Sequence, residues 1–269
     1  MKLRYIYLKC INESKDKDFD RLSTRITDEA CFIGWYLSKA VRRLNYEMKI
    51  PTNYIDIIIK DKESVDQRVK FPVRDSVETY IPFDLNRYER EKDASDYKFY
   101  LDMIRIGLIQ VNEFTPLPLK DIFQIIDGFV ADGCLNEWVH KKKRFVEYDL
   151  QIILKCEFTS QYFQVRLIAN SIKWKKKIVE GIVLRTEPSP FTFDGFYKDV
   201  VMIEDKIIVT TKFTSWLFFI DRERLLNGFF SIGIQGNDFF VNDVGWKTEY
   251  TETIVVDEEY QNMKYDVTN

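Results

Sequence analysis

Histidine is the side chain that proton transfer and metal binding recruit most at neutral pH, because its ordinary pKa lies nearest 7. The sequence holds one, His140. It closes a Glu137-x-x-His140 spacing that on a helix places both side chains on one face, as in di-iron bundles. Those centres need two such pairs and two further carboxylates, and no second histidine exists to complete them. A Cys134/His140 dyad is the other chemistry on offer, but nothing local activates that thiol. His140 is therefore read as structural or solvent-facing. The four cysteines, Cys10, Cys31, Cys134 and Cys156, are scattered without C-x-x-C spacing, which fits buried thiols better than a disulfide framework or a zinc site.

The sequence has no G-x-S-x-G, no glycine-rich phosphate loop, no G-x-G-x-x-G and no H-E-x-x-H, so nucleotide-binding and zincin classes recede. Carboxylates remain. Asp194, Asp199, Glu204, Asp205, Asp221 and Glu223 would hold Mg²⁺ for phosphodiester cleavage if several converged. Glu204-Asp205 is a turn signal, however, and 221–224 alternates in sign as solvated segments do. Two basic clusters, 141–144 and 174–177, offer phosphate contacts, with Trp174 as a stacking platform. A net charge of -3 and a pI near 5.5 oppose a general nucleic-acid binder.

The charge is unevenly placed. Residues 145–269 hold 14 basic and 19 acidic side chains, and the deficit gathers near the end. There Glu249, Glu252, Asp257, Glu258 and Glu259 stand among Trp246, Tyr250 and Tyr260. Aromatic residues framed by carboxylates are suited to docking a basic protein, and these eight residues are the candidate partner-binding site.

The elements that must position these groups follow from periodicity. Residues 2–10 alternate as a strand. A helix is expected from Thr27 as N-cap, with Ala30, Ile33, Leu37, Val41, Leu44 and Met48 as one stripe ending before Pro51. Residues 54–60 and 77–83 read as strands. Further helices are expected near Ser95 and at Pro118, the latter ended by Gly133, then a short helix or turn over Trp138, Val139 and His140. Beyond 145 the period becomes two, with even positions from Val146 to Phe158 apolar, and 163–169 completes a hairpin. Short apolar runs separated by turn signals continue to 256, with 221–226 readable either as a helical turn or as half of a hairpin.

The expected fold class is thus α+β: an N-terminal mixed α/β part, 1–145, with three or four helices, packed tightly against a C-terminal antiparallel β meander, 146–269. Hydrophobic content of 45%, with 21 Phe and 15 Tyr against 10 Gly, supplies enough burial for folding. No apolar run reaches membrane-spanning length, and the start of the sequence lacks the pattern of a secretory signal, so a cytoplasmic, non-membrane protein is expected. The expected function is non-enzymatic binding of another protein, in its concrete form an immunity-type inhibitor of a toxin enzyme. No cofactor is implied. The alternative is a metal-dependent phosphodiesterase or nuclease using the carboxylates named above.

Overall fold

The computed structural model describes residues 1–12, 17–60, 69–70, 76–186, 188, 197–211, 217–235 and 254–255. The chain divides into two compact units, 1–136 and 137–269, and its class is α+β, with a mixed sheet in the first and antiparallel sheets in the second.

In the first unit, β1 (Tyr5–Ile11), β2 (Tyr54–Lys60) and β4 (Ser76–Pro82) run parallel in the order β1-β2-β4, and the two-residue β3 (Val69–Lys70) pairs antiparallel to β4. One face carries Ile6, Leu8 and Cys10 in register with Ile55, Ile57 and Ile59, and these with Val77, Thr79 and Ile81. Helix α3 (Lys98–Phe114) packs on that face. Its Gly107 lies against Ile57, where an added Cβ would come within 2.6 Å of Ile57 Cγ2, so the residue allows the helix and sheet to approach closely.

Helix α1 (Lys17–Leu44) begins ten residues before the expected Thr27. Thr27 lies inside it because its hydroxyl has a better use than capping: Oγ1 accepts from Cys10 N at 2.9 Å and donates to Ser23 O at 2.9 Å. Ser38 Oγ likewise accepts from Ile6 N at 3.2 Å. Two α1 hydroxyls thus satisfy outward N–H groups of β1, the edge strand, which would otherwise be a template for pairing with another chain. The adjacent stripe Ile26, Ala30, Ile33, Leu37 and Val41 is fully buried. Helix α2 (Leu85–Glu91), which periodicity does not reveal, is started by Asp84, whose carboxylate accepts from Arg87 N. Helix α4 (Leu119–Ala131) packs on α1 and α3 and is followed by the left-handed Gly133.

On the opposite face of this sheet, the rings of Tyr5, Tyr7 and Tyr54 cluster beside Asp56, whose Oδ1 lies 2.7 Å from Lys9 Nζ. Burial pushes the Asp56 carboxyl above its ordinary pKa, against the pull of Lys9.

The second unit holds two antiparallel sheets. The first is β5 (Glu137–Phe145), β6 (Leu150–Phe158), β7 (Phe163–Ser171) and β8 (Lys177–Thr186), in that order. The second runs β13-β12-β11-β10-β9, from β9 (Tyr197–Ile203) and β10 (Lys206–Thr211) through β11 (Leu217–Asp221) and β12 (Ser231–Gln235) to β13 (Ile254–Val255). The alternation of β6 is as expected, every even position from 150 to 158 being buried. Val146 departs from it: residues 146–148 form a 3-10 turn and Val146 points out. Residues 221–226 resolve as helix α5 (Arg222–Leu226), capped by the Asp221 carboxylate at 2.8 Å from Arg224 N.

The expected helix or turn over 138–140 is instead strand β5, so the boundary between units precedes Glu137. Its lysines are the cause of the misreading. They sit on an edge strand, where lysine guards against edge-to-edge pairing, and both of its faces reach solvent, so no apolar alternation marks it. No helix among the described residues is long and apolar enough to cross a membrane.

Candidate functional site

His140 is the extra residue of a β-bulge, the register with β6 jumping between Val139 and Lys141. The bulge turns its ring toward β9, where Nε2 lies 3.1 Å from the Tyr197 carbonyl. A carbonyl only accepts, so Nε2 carries the proton. Beside it Lys141 Nζ and Lys143 Nζ hold the Asp199 carboxylate at 3.1 and 3.7 Å, and its pKa falls because Lys141 and the Val200 N–H bond its charged form. Side chains of β5 therefore stitch the edges of the two sheets together. Glu137, the other half of the di-iron-like spacing, pairs with Lys155. Cys134 Sγ faces the Asp96 carbonyl, and burial raises its pKa.

The carboxylates considered for a metal are dispersed. Asp199 belongs to the seam, Asp205 pairs with Arg222, Asp221 caps α5, and Asp194 lies outside the described residues. No group of three metal-ligating side chains occurs among the described residues. The candidate partner-binding residues Trp246, Glu249, Tyr250, Glu252, Asp257, Glu258, Glu259 and Tyr260 also lie outside them.

A different surface emerges from the topology of the second unit. Within each antiparallel sheet, the connections leading from odd to even strands share one end. The seam aligns the two sheets, because His140 and Lys141 ascend β5 as Tyr197 and Asp199 ascend β9. The connections β5–β6, β7–β8, β9–β10 and β11–β12 consequently gather at one end of the unit.

Hydrogen bonds tie this end together. Asp149, after the 146–148 turn, accepts from Ser171 Oγ and from Lys173 N, both at 2.6 Å. Those bonds hold its carboxyl below the usual range. Trp174 N donates to Ser171 Oγ at 3.0 Å, and Ser171 N to Lys176 O at 2.9 Å. On the other side, Arg222 lies over the Tyr148 ring at 4.3 Å and pairs with Asp205 of the β9–β10 turn.

Each of the four connections contains a left-handed residue: Asp149, Lys175, Glu204 and Gly228, with φ of 51°, 52°, 51° and 84°. Asp and Gly take that conformation readily, whereas Lys and Glu take it at a cost of about 1 kcal/mol or more each. Large apolar side chains are exposed in or beside these connections. Trp174 is 72% exposed, Val146 69%, Phe229 60%, Ile203 54% and Leu226 43%. Phe230, beside Phe229, is buried against Gly181 of β8 and fixes the last connection.

Around these residues the only charged side chains of the β7–β8 loop are basic, Lys173, Lys175 and Lys176, all exposed, while Glu147, Glu204 and Glu223 are exposed on the neighbouring connections. Exposed apolar side chains and exposed charges of both signs thus occur together on these four connections. The sequence singles out Trp174 and its lysines only as candidate phosphate contacts, and it does not mark Val146, Ile203, Leu226 and Phe229 as exposed. The available signal was an apolar residue beside each turn signal, at positions where the meander needs none. Comparison with protein-family models, with curated proteins and with solved structures finds no match to this chain.

Proposed function

We propose that this protein acts by binding another protein, which docks on the loop end of the second unit. The observation that carries the reading is the projection of Trp174, Val146, Phe229, Ile203 and Leu226 from four connections that converge on one end. Large apolar side chains left this exposed at one end of a unit are a mark of interaction sites when they form a patch. Tryptophan is enriched among the residues that dominate binding energy, and a charged rim steers association and selects the partner.

The mixed rim favours a protein over other partners. A bilayer or nucleic acid presents uniform negative charge, which Lys173, Lys175 and Lys176 would attract but Glu147, Glu204 and Glu223 would repel. The partner face opposite the lysine loop is acidic, and it offers a cleft for the Trp174 ring. An inhibitor that occupies a toxin enzyme is the concrete form of such an activity, since it needs a rigid scaffold, an aromatic anchor and complementary charge. All four cysteines are thiols, which fits action in a reducing cytoplasm.

The test is capture from an extract of the native host by the intact chain and by Trp174→Ala, followed by binding kinetics with the captured protein. The anchor should account for about 2 kcal/mol, so Trp174→Ala should speed dissociation by about 30-fold. Lys175→Glu with Lys176→Glu should instead slow association, most strongly at low salt. Equal kinetics for all three proteins, or selective binding to anionic vesicles or nucleic acid in place of a protein, would overturn the reading.

A further inference from the structure

We propose that Arg185 anchors a binding site for the carboxylate of a small acid, on one face of the sheet formed by β5, β6, β7 and β8. Register assembles the site. Glu157 of β6 stands opposite Gln164 of β7, and Gln164 opposite Arg185 of β8, so a row of three polar side chains crosses the sheet. The row lies on the face opposite Phe158, Phe163, Val165 and Leu184, because successive side chains of a strand alternate. Polar as it is, the row is covered: Gln164 is 1% exposed and Arg185 8%.

Burial makes the partners of Arg185 decisive, since a guanidinium this enclosed is ordinarily held by a carboxylate. Here Nε and Nη2, the two donors on one edge of the fork, meet a single neutral acceptor, Gln164 Oε1, at 2.9 and 2.5 Å. The Tyr162 ring lies 4.5 Å from the guanidinium carbon. No carboxylate is within ion-pair distance of Arg185 among the described residues. The half-buried arginines differ: Arg87, Arg105, Arg166 and Arg222 each pair with an aspartate or a glutamate. The most enclosed arginine described is the one without a counter-ion.

Glu157 does not fill that role. Its Oε1 accepts from Tyr162 OH and its Oε2 from Gln164 Nε2, both at 2.6 Å, so the Gln164 amide stands between the two charges and fixes both groups. The end-on edge of the fork, Nη1 with the second Nη2 proton, faces no acceptor among the described residues, and two parallel N–H···O bonds to a carboxylate match it. Charge selects the class of anion. Arg166, Lys177 and Arg185 against Glu157 and Glu180 leave one positive charge, which a monoanion neutralises and a phosphate dianion exceeds. A side chain only 8% exposed admits a slender group rather than the face of a protein. Tyr162 belongs to the β6–β7 turn, at the other end of the unit from the four connections, so this site stands apart from the docking surface.

Thermal unfolding of the full chain in sodium acetate, against sodium chloride of equal ionic strength, tests the site. Near saturation, acetate should raise the midpoint by about 5 °C more in the natural chain than in Arg185→Gln, whose amide can still donate to Gln164 but carries no charge. The difference between the two proteins removes the general stabilisation that such salts give by exclusion from the surface. Arg185→Lys keeps the charge without the fork and should bind acetate about tenfold or more weakly, as should the natural chain inorganic phosphate at pH 7.5. In the natural chain, the Arg185 Nε–H resonance, identified by its loss in Arg185→Lys, should move saturably with acetate. Equal midpoint shifts in the natural chain and Arg185→Gln, or an Arg185 resonance that acetate does not move, would overturn the site. Phosphate binding as tightly as acetate would overturn its assignment to a carboxylate.

Discussion

Gly181→Ala gives a quantitative test of how the loop end is held. Gly181 sits within β8 opposite Leu167, and the ring of Phe230 lies directly on its Cα. A Cβ added there would be 2.5 Å from Phe230 Cε1 and closer still to Cδ1 and Cγ, whereas ordinary contact begins near 3.4 Å. The ring must retreat by about 1 Å within a close-packed interior, which costs about 1–3 kcal/mol. Without that clash, replacing a strand glycine by alanine would stabilise by about 0.5–1 kcal/mol through the unfolded chain, so the predicted sign is opposite to the intrinsic one.

Phe230→Leu makes room and should cost about 1–2 kcal/mol alone. The double variant should fall short of the sum of the two by about 1 kcal/mol or more, because the smaller side chain admits the new methyl group. Urea unfolding followed by fluorescence, with unchanged m values, measures all three. Stabilisation by Gly181→Ala, or strict additivity, would show that Phe230 does not rest on this strand.

Three further outcomes are expected. Leu154→Ala, at a fully buried position of β6, should destabilise by about 2–5 kcal/mol, while Gln151→Ala on the opposite face should cost less than about 0.5; equal losses would mean the faces are misassigned. Burial pushes the thiols of Cys10 and Cys31 up to about 12, so a thiolate fraction on the order of 10⁻⁴ at pH 8 should make both slow toward iodoacetamide, and alkylation at the rate of an exposed thiol would contradict this. The Asp199 and Asp149 carboxyls, each held below its unfolded value by hydrogen bonds, contribute stability that is present above the ordinary carboxylate pKa and lost as pH falls through the folded one. Acid titration below about pH 4 should therefore destabilise the natural protein more than Asp199→Asn, and parallel pH profiles would exclude the seam as a contributor.

The residues that betray their structure in the sequence are those whose environment is periodic. Leu150, Ile152, Leu154, Cys156 and Phe158 alternate because one face of β6 is buried along its whole length, and residues 54–60 read as a buried strand, which β2 is. Trp174 and its lysines stood out in the sequence only as candidate phosphate contacts, which the net charge of -3 opposed. The extent of α1 was not legible. Thr27 has the chemistry of an N-cap, and only the edge of β1, seventeen residues earlier, determines that its hydroxyl serves a strand from within a helix.

Strand β5 was concealed for a related reason. Lysines on an edge strand leave no apolar alternation, and it is β6, by pairing along the whole of 137–145, that makes this segment a strand. The loop end lay furthest from view, since it is assembled from Val146, Trp174, Ile203 and Phe229, residues separated by as much as 83 positions. Local sequence encodes burial and turn chemistry through the period of its side chains. Which turns share an end depends on strand order and on the seam from His140 and Lys141 to β9, and those are properties of pairing across the chain that no window of neighbouring residues contains.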